Sequence, residues 1–338
     1  MFAGNTPDAG TGIQRAFISE ELNNLALDLP AVLVNARAPN TNKSYDQAFD
    51  RWKRWADNYP EVSSLPADPL HIVLYILFLA RSAKSFSNIN LAICSLAWAH
   101  KLAGFPSPTG SIIVVEAING LKRKLAKPSV RKEPFTLDNI KSIIDCTNSC
   151  SLKDVRDTAM IVLGFYAFLR VDELRRLKCN KVTVHNTHLE LTITQSKCDQ
   201  LRQGSSVVIA KLGGPYCPVD CFLRYLNTSC TILDEDKFVF RRLCPCKGGF
   251  QLTRQNTPMA YNQIREAVKN KAAQIGLDQS KYSTHSMRSG GATAAANFNV
   301  KERVFQRHGR WATTQSRDRY VKDSLESRLS VSRVMSGK

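Results

Sequence analysis

The feature that most limits what this chain can fold into is a succession of helix-length segments with apolar residues at helical spacing, interrupted by one proline-containing basic stretch. Tyr45, Phe49 and Trp52 stand at i, i+4 and i+7 in KSYDQAFDRWKRWADNYP, which predicts a helix stopped by Pro60. Residues 69–82 predict a second, built on the apolar run Ile72–Ala80 and read as a buried helix. Ile89, Ile93 and Leu96 mark a third that ends at Gly104 before Pro106, and a fourth covers roughly 111–126. Residues 14–127 thus read as an all-α domain behind a small, polar stretch, 1–13, expected to be a disordered tail. Leu125–Pro134 (LAKPSVRKEP) has two prolines among basic residues and predicts an exposed linker, with 128–134 as the connection and 135–338 as a second domain.

The second domain reads differently. Thr136 starts a helix with a polar cap, and Val155–Leu169, nearly all apolar, predicts a central buried helix. HLELTITQSK and SSVVIA alternate as half-buried strands do and are separated by CDQLRQG, which predicts a hairpin. Cys217-Pro-Val opens a helix through Leu226, KFVFRR reads as a short strand, and 258–335 is mostly helical. The fold class is therefore mainly α, an all-α domain followed by an α+β domain with a small antiparallel sheet.

Charge narrows the function. Lys and Arg total 47 against 29 Asp and Glu, a net charge of +18, which points to a polyanionic partner: nucleic acid or an acidic membrane face. At 43% hydrophobic and 22% charged residues the composition is globular, which excludes wholesale disorder. Ile72–Ala80 is about half the ~20 residues that span a bilayer, so no membrane span is expected, and no membrane is counted among the expected partners. MFAGNTPDAGTG lacks a basic region followed by an apolar one, so secretion is not expected, and the ten cysteines read as reduced thiols in cytosol or nucleus.

Single residues that could carry chemistry each have an ordinary reading. Arg170, with Glu173 in FLRVDELRRLK, could simply solvate helix-end carbonyls. Lys197 lies at the hairpin tip, where a solvated lysine is usual. His285 and Arg288 in THSMRSGGATAAA share a helix face, and the small residues behind them suit close helix packing. Trp311 and Tyr320 in RHGRWATTQSRDRYV could be core. Cys217-x₃-Cys221 with Cys244-x-Cys246 is metal-like but not a standard zinc spacing, and a plain helix start at Cys217 is favoured. His71, His100, His185 and His188 are scattered and take their bland readings.

Taken in order, the set is specific. Arg170 with Glu173, Lys197, His285-x-x-Arg288, Trp311 and Tyr320 resembles the tyrosine recombinase, or phage integrase, family. Trp311 precedes Tyr320 by nine residues and follows His285 by 26, which makes Trp311, not His308, the match to the family's His/Trp position. Upstream, SNINLAICSLAWAHKLAGFPSPTG and LKRKLAKP resemble the family's DNA-clamping helical domain and linker, so the likeness covers roughly 40–325. The GRW…RYV segment is also similar to recombinases of DIRS-type mobile elements.

The resemblance implies a core-binding (SAM-like) domain and a catalytic domain. It implies a site-specific DNA recombinase that works through a 3′-phosphotyrosine on Tyr320, without metal, ATP or other cofactor. No GxxxxGK[ST] loop is present. By the same resemblance Arg170 and Arg288 bind the phosphate, Trp311 donates one further bond, and His285 is the acid/base. Lys197 protonates the leaving oxygen, and Glu173 orients an arginine or His285. Lys122, Arg123, Lys124, Lys127, Arg131 and Lys132 are expected to hold DNA phosphates. Thr41 and Lys43, read as preceding the first core helix, would touch the backbone; Ser87, Asn88 and Asn90 are either groove contacts or polar caps. The expected partner is double-stranded DNA, bound by a homo-tetramer that is a monomer or dimer in solution, in the nucleus of a eukaryotic host or otherwise the cytoplasm. Alternatives are a type IB topoisomerase-like relaxase and a domesticated DNA-binding protein lacking recombination.

Overall fold

The computed structural model describes residues 18–128, 131–194 and 204–336. The chain divides into two compact units, Met1–Ser129 and Val130–Lys338.

The first unit is all helix: α1 (Glu20–Asn35), α2 (Pro39–Ala56), α3 (Pro69–Ser82), α4 (Ser87–Leu102) and α5 (Ile112–Lys124). Phe49 and Trp52 of α2 are buried against Ile72, Tyr75 and Ile76 of α3, Ile89 and Leu96 of α4, and Val114 and Leu121 of α5. The buried Trp52 indole N–H donates to the Ser64 carbonyl, 2.9 Å away, so its one polar atom is satisfied inside the core. Two expectations are corrected here. Helix α2 begins at Pro39, whose fixed φ suits the first helical position, so Thr41 and Lys43 lie inside this helix and do not precede it. Helix α3 is buried on one face only: Ile72, Val73, Tyr75 and Ile76 point inward, while Leu70, Leu74, Leu77 and Phe78 are exposed.

The second unit starts with α6 (Leu137–Asp145), where Thr136 Oγ1 accepts from Asn139 N–H and the Asn139 side chain accepts from Thr136 N–H. Helix α7 (Leu152–Tyr166) is buried continuously from Val155 to Phe165, as befits a helix enclosed on every side. It is followed by α8 (Val171–Arg176), β1 (Val182–Val184), β2 (His188–Ile193), β3 (Ser205–Ala210) and α9 (Pro218–Ser229). Next come β4 (Leu243–Cys246), β5 (Gly249–Leu252), α10 (Tyr261–Gln274), α11 (Thr284–Asn297), α12 (Glu302–His308), α13 (Thr314–Asp318) and α14 (Leu325–Met335). Strands β1, β2 and β3 form an antiparallel sheet in that order, with Leu191 opposite both Val182 and Val207. Its inward residues Leu189, Leu191, Ile193, Val207 and Ile209 join the core around α7. Strands β4 and β5 form a separate hairpin.

KFVFRR is not a strand. Phe238 and Arg241 make isolated bridges, to Lys178 and to Pro258 respectively. Val239 N–H bonds the Leu177 carbonyl, while the Phe240 carbonyl accepts from Met259 N–H. Pairing alternates between two neighbours, so no ladder with either is continuous. The cysteines considered for zinc also separate by environment. Cys217 and Cys221 are buried beside α9, and burial pushes the Cys221 thiol up to about 11, whereas Cys244 and Cys246 sit on β4. Among the described residues these four do not gather into a ligand set. No described helix is long and apolar enough to cross a membrane.

Candidate active site

Three chain reversals in the second unit converge on one spot. The first follows α7. Leu169 N–H bonds back to the Gly164 carbonyl, and Phe168 adopts a left-handed backbone (φ 49°), which redirects the chain so that Arg170 stands at the start of α8. Glu173, one turn into α8, accepts from the Arg170 backbone N–H at 2.9 Å and from Arg170 Nη1 at 2.7 Å. The carboxylate therefore caps the helix and fixes the guanidinium at once.

The second reversal is the start of α11. Ser283 caps it, accepting from His285 N–H, while Ser286 Oγ accepts from Ser283 N–H. His285 and Arg288 are one turn apart, yet His285 is exposed and Arg288 is 1% exposed, because the helix dives into the core over that turn. It can dive because Gly291 has no side chain: a Cβ there would lie 2.1 Å from the Phe165 carbonyl oxygen.

The third reversal links α12 to α13. Arg310 has φ 56°, and the turn delivers Trp311 into a small apolar cluster with Phe168, Ala292 and Phe305, against which Tyr320 packs. Gly309 must lack a side chain, since its Cβ would meet the Trp311 ring at 1.8 Å. Tyr320 follows α13 and is held from behind: Thr293 Oγ1 of α11 donates to the Tyr320 carbonyl at 3.3 Å and accepts from Lys322 N–H at 3.1 Å. Arg317 anchors α13 through Glu302 at 2.9 Å and Asp318 at 2.8 Å.

The result is a compact cationic site. The Arg288 guanidinium lies 4.5 Å from the Trp311 ring centroid and 5.0 Å from that of Tyr320. The Tyr320 ring is 5.7 Å from Trp311 and 6.2 Å from His285. Arg288 donates to the carbonyls of Phe168 and Gly309, but its buried Nε has no partner, and neither does the buried Trp311 Nε1. Two unpartnered N–H donors beside a tyrosine are groups that can stabilise an anion. Electrostatics agree. Burial, then the neighbouring Arg170, pull Arg288 down to about 9 in spite of Glu173, because three guanidiniums (Arg170, Arg288, Arg310) surround one carboxylate. Burial pushes Glu173 the other way, but Arg310, the Arg170 N–H and the charges of Arg170 and Arg288 overcome it and hold the carboxyl below its ordinary value.

Arg170, Glu173, His285, Arg288, Trp311 and Tyr320 are thus brought together; Lys197 lies outside the described residues. Glu173 pairs with Arg170 and Arg310, so of the two expected partners, an arginine or His285, it stands with the arginines. His308 is part of the scaffold: its Nε2 lies 2.8 Å from the Tyr166 carbonyl, and burial lowers its pKa. Other tyrosines are committed elsewhere. Tyr225 is buried with its hydroxyl on the Val239 carbonyl and is pushed up to about 12, and Tyr282 stacks on Phe135. The sequence reading missed Arg310, which donates to the carbonyls of Ala167, Phe168 and His308 and, at 2.8 Å, to Glu173. Its role depends on a left-handed backbone that a lone Arg beside Trp311 does not signal.

The family profile described as "Phage integrase family" matches residues 133–326, more than half of the chain, and the chain belongs to that family. It is an enzyme of the tyrosine recombinase class. It is 27% identical over 310 residues to an "Integrase/recombinase xerD homolog" of Selenomonas ruminantium, covering 88% of this chain and 86% of that protein. It is 21% identical over 276 residues to "Recombinase cre" of Escherichia phage P1, covering 76% and 77%. A solved structure of the XerH site-specific recombinase bound to its palindromic difH substrate has the same fold: TM-score 0.60, 13% identity, covering 88% of this chain and 78% of that one.

The residues expected to touch DNA fall on both units. In the first, Thr41 is half-buried and Lys43 exposed on α2. Ser87, Asn88 and Asn90 are exposed on the first turn of α4 and cap nothing, since the cap position is Phe86 without a side-chain bond. Lys122, Arg123 and Lys124 form the last turn of α5, where cations meet free carbonyls, and Lys127 is exposed beyond it. Lys122 also sits over the Phe86 ring at 5.5 Å. In the second unit Lys132 donates to the Ser280 carbonyl, and Arg131 borders a cleft with Thr314, Gln315, Asp318 and Arg319, next to Tyr320 in the chain.

Proposed function

We propose that this enzyme breaks and rejoins double-stranded DNA at specific sites, with Tyr320 as nucleophile. The observation that carries the reading is Tyr320 packed over the buried Arg288 guanidinium, beside the unpartnered Trp311 Nε1 and the His285 ring. The tyrosine oxygen attacks the scissile phosphorus. An O–P bond forms to Tyr320, the bond to the 5′-oxygen breaks, and a 3′-phosphotyrosine and a free 5′-hydroxyl result. The phenol proton passes to His285, and Lys197 supplies a proton to the departing oxygen. Arg170, Arg288 and Trp311 donate to the non-bridging oxygens, and such donors are worth ~10²–10³ in rate each. A 5′-hydroxyl from another strand reverses the step, so the bond energy is conserved and no nucleotide cofactor is needed. The guanidiniums supply the charge stabilisation that a metal pair supplies in other phosphoryl-transfer sites.

The exposed cations of α5, with Lys127 and Arg131, hold the phosphodiester backbone, and Ser87, Asn88 and Asn90 face a groove. Strand exchange of this kind requires four protomers around two duplexes, with α14 docking on a neighbour. In a eukaryotic host the enzyme works in the nucleus, with LKRKLAKP as the import segment. The test uses DNA nicked next to the scissile phosphate, on a site selected by binding. The wild type traps an SDS-stable protein–DNA adduct, also in excess EDTA, whereas Tyr320→Phe binds equally and traps none. An adduct that persists in Tyr320→Phe, or that needs metal, contradicts the reading.

A further inference from the structure

Away from the active site, one group of side chains in the second unit has no part in the chemistry above. His185, His188 and Glu190 each offer one ligand atom, and these atoms all lie within 4.8 Å of one another. The sheet explains why. Thr183 of β1 pairs with Glu190 of β2, and His185 is two residues beyond Thr183, so it projects from the same side. His188 is two residues before Glu190 and takes that side as well. The intervening Leu189 and Leu191 are buried, so the shared side is the solvent face. His185 N–H bonds the His188 carbonyl at 2.8 Å, closing the turn and setting the two rings 4.2 Å apart.

On Glu190 and His188 the atoms that would not bind an ion are already engaged. Ser206 Oγ donates to Glu190 Oε1 at 2.6 Å, leaving Oε2 available, and that oxygen is 3.5 Å from His185 Nε2. His188 Nδ1 lies 2.9 Å from Thr187 Oγ1, which leaves its Nε2 as the outward nitrogen. A neighbour that occupies one end of a ligand and presents the other, as Ser206 does for Glu190 and Thr187 for His188, is the usual surrounding of a metal-binding carboxylate or imidazole. Two ligands at ~2.1 Å from one ion lie at most ~4.2 Å apart, so the His185–Glu190 separation already fits, while the two imidazoles, stacked at 19°, must swing out of their stack for both in-plane lone pairs to meet one ion.

We propose that His185, His188 and Glu190 form a surface site for one divalent transition-metal ion of the zinc type, with solvent completing the shell. Two imidazoles and a carboxylate suit Zn²⁺, Co²⁺ or Ni²⁺ and disfavour Mg²⁺ and Ca²⁺, which prefer all-oxygen shells. The ion clamps the β1–β2 turn, at the end of the sheet opposite the Ile193–Ser205 pair. This inference is independent of the recombination chemistry.

The test uses the full chain purified without a histidine tag and titrated with Co²⁺, followed by Zn²⁺ displacement. The ten cysteines are the competing ligands, and a cobalt–thiolate band in the near ultraviolet reports them. The expected result is one Co²⁺ per chain with weak visible absorption and no thiolate band. His188→Ala should weaken binding by ~10-fold or more, and Ser206→Ala, which touches no ion, by ~10-fold. Both variants should keep the wild-type melting temperature measured in EDTA, which shows that the fold is intact. Unchanged affinity in His188→Ala, a thiolate band, or no bound ion overturns the proposal.

Discussion

Glu173 holds the active-site arginines in place, and its removal should be felt first in stability. Replacing it by Gln leaves Arg170, Arg288 and Arg310 without their counter-charge, and breaking a buried ion pair from one side costs ~3–5 kcal/mol. The folded carboxyl titrates below its ordinary value, so its contribution is complete above pH 4.5 and is lost as pH falls through the lowered value. Urea unfolding across a pH series should therefore show the gap between wild type and Glu173→Gln narrowing below pH 4.5. Arg310 acts through its neighbours, fixing Glu173 and the backbone from which Trp311 projects. Arg310→Ala should leave DNA affinity unchanged and slow single-turnover cleavage by ~10²-fold, the effect of a misplacement of about 1 Å. Arg310→Lys should restore little, because an ammonium cannot reproduce a planar fork that spans carbonyls and a carboxylate. An Arg310→Ala enzyme that cleaves at the wild-type rate would show that this scaffold is not needed.

At the level of elements, legibility follows from whether a signal is local. Helices α2 to α7 declare themselves through apolar spacing, caps and prolines, all readable within one segment. Phe49, Trp52, Ile89 and Leu96 are core residues for that reason. KFVFRR misleads because its composition is that of a strand while its backbone partners, Leu177 and Met259, come from separate parts of the chain. The β4–β5 hairpin is hidden by Pro245 in its first strand. At the site, the order and spacing of Arg170, His285, Arg288, Trp311 and Tyr320 were legible, but the burial of Arg288 was not, since it depends on Gly291 meeting Phe165 across the core. Helix α14 has no buried residue and exposes Leu325, Leu329, Val331, Val334 and Met335. Truncation after Asp323 should leave the melting temperature unchanged and reduce the assembly on DNA seen by analytical ultracentrifugation. Full assembly by the truncated chain would remove α14 from the interface.

For the whole molecule, a net charge of +18 predicts a DNA affinity that is mainly electrostatic. From 301 to 338 there are ten Lys and Arg against four Asp and Glu, so the excess extends to the segment that carries Tyr320. Neutralising six to ten phosphates predicts a loss of ~10³–10⁵ in affinity between about 50 and 200 mM salt, measurable by fluorescence anisotropy. An affinity that barely changes would contradict a backbone-clamping enzyme. Catalysis needs more than this field: it needs one phenol placed over a buried guanidinium, and only Tyr320 among the described tyrosines has that placement. The most direct measurement is mass spectrometry of the trapped adduct after proteolysis and nuclease digestion. A nucleotide joined through its 3′-phosphate to the peptide containing Tyr320 is the predicted result; linkage to any other residue, or through a 5′-phosphate, would contradict it.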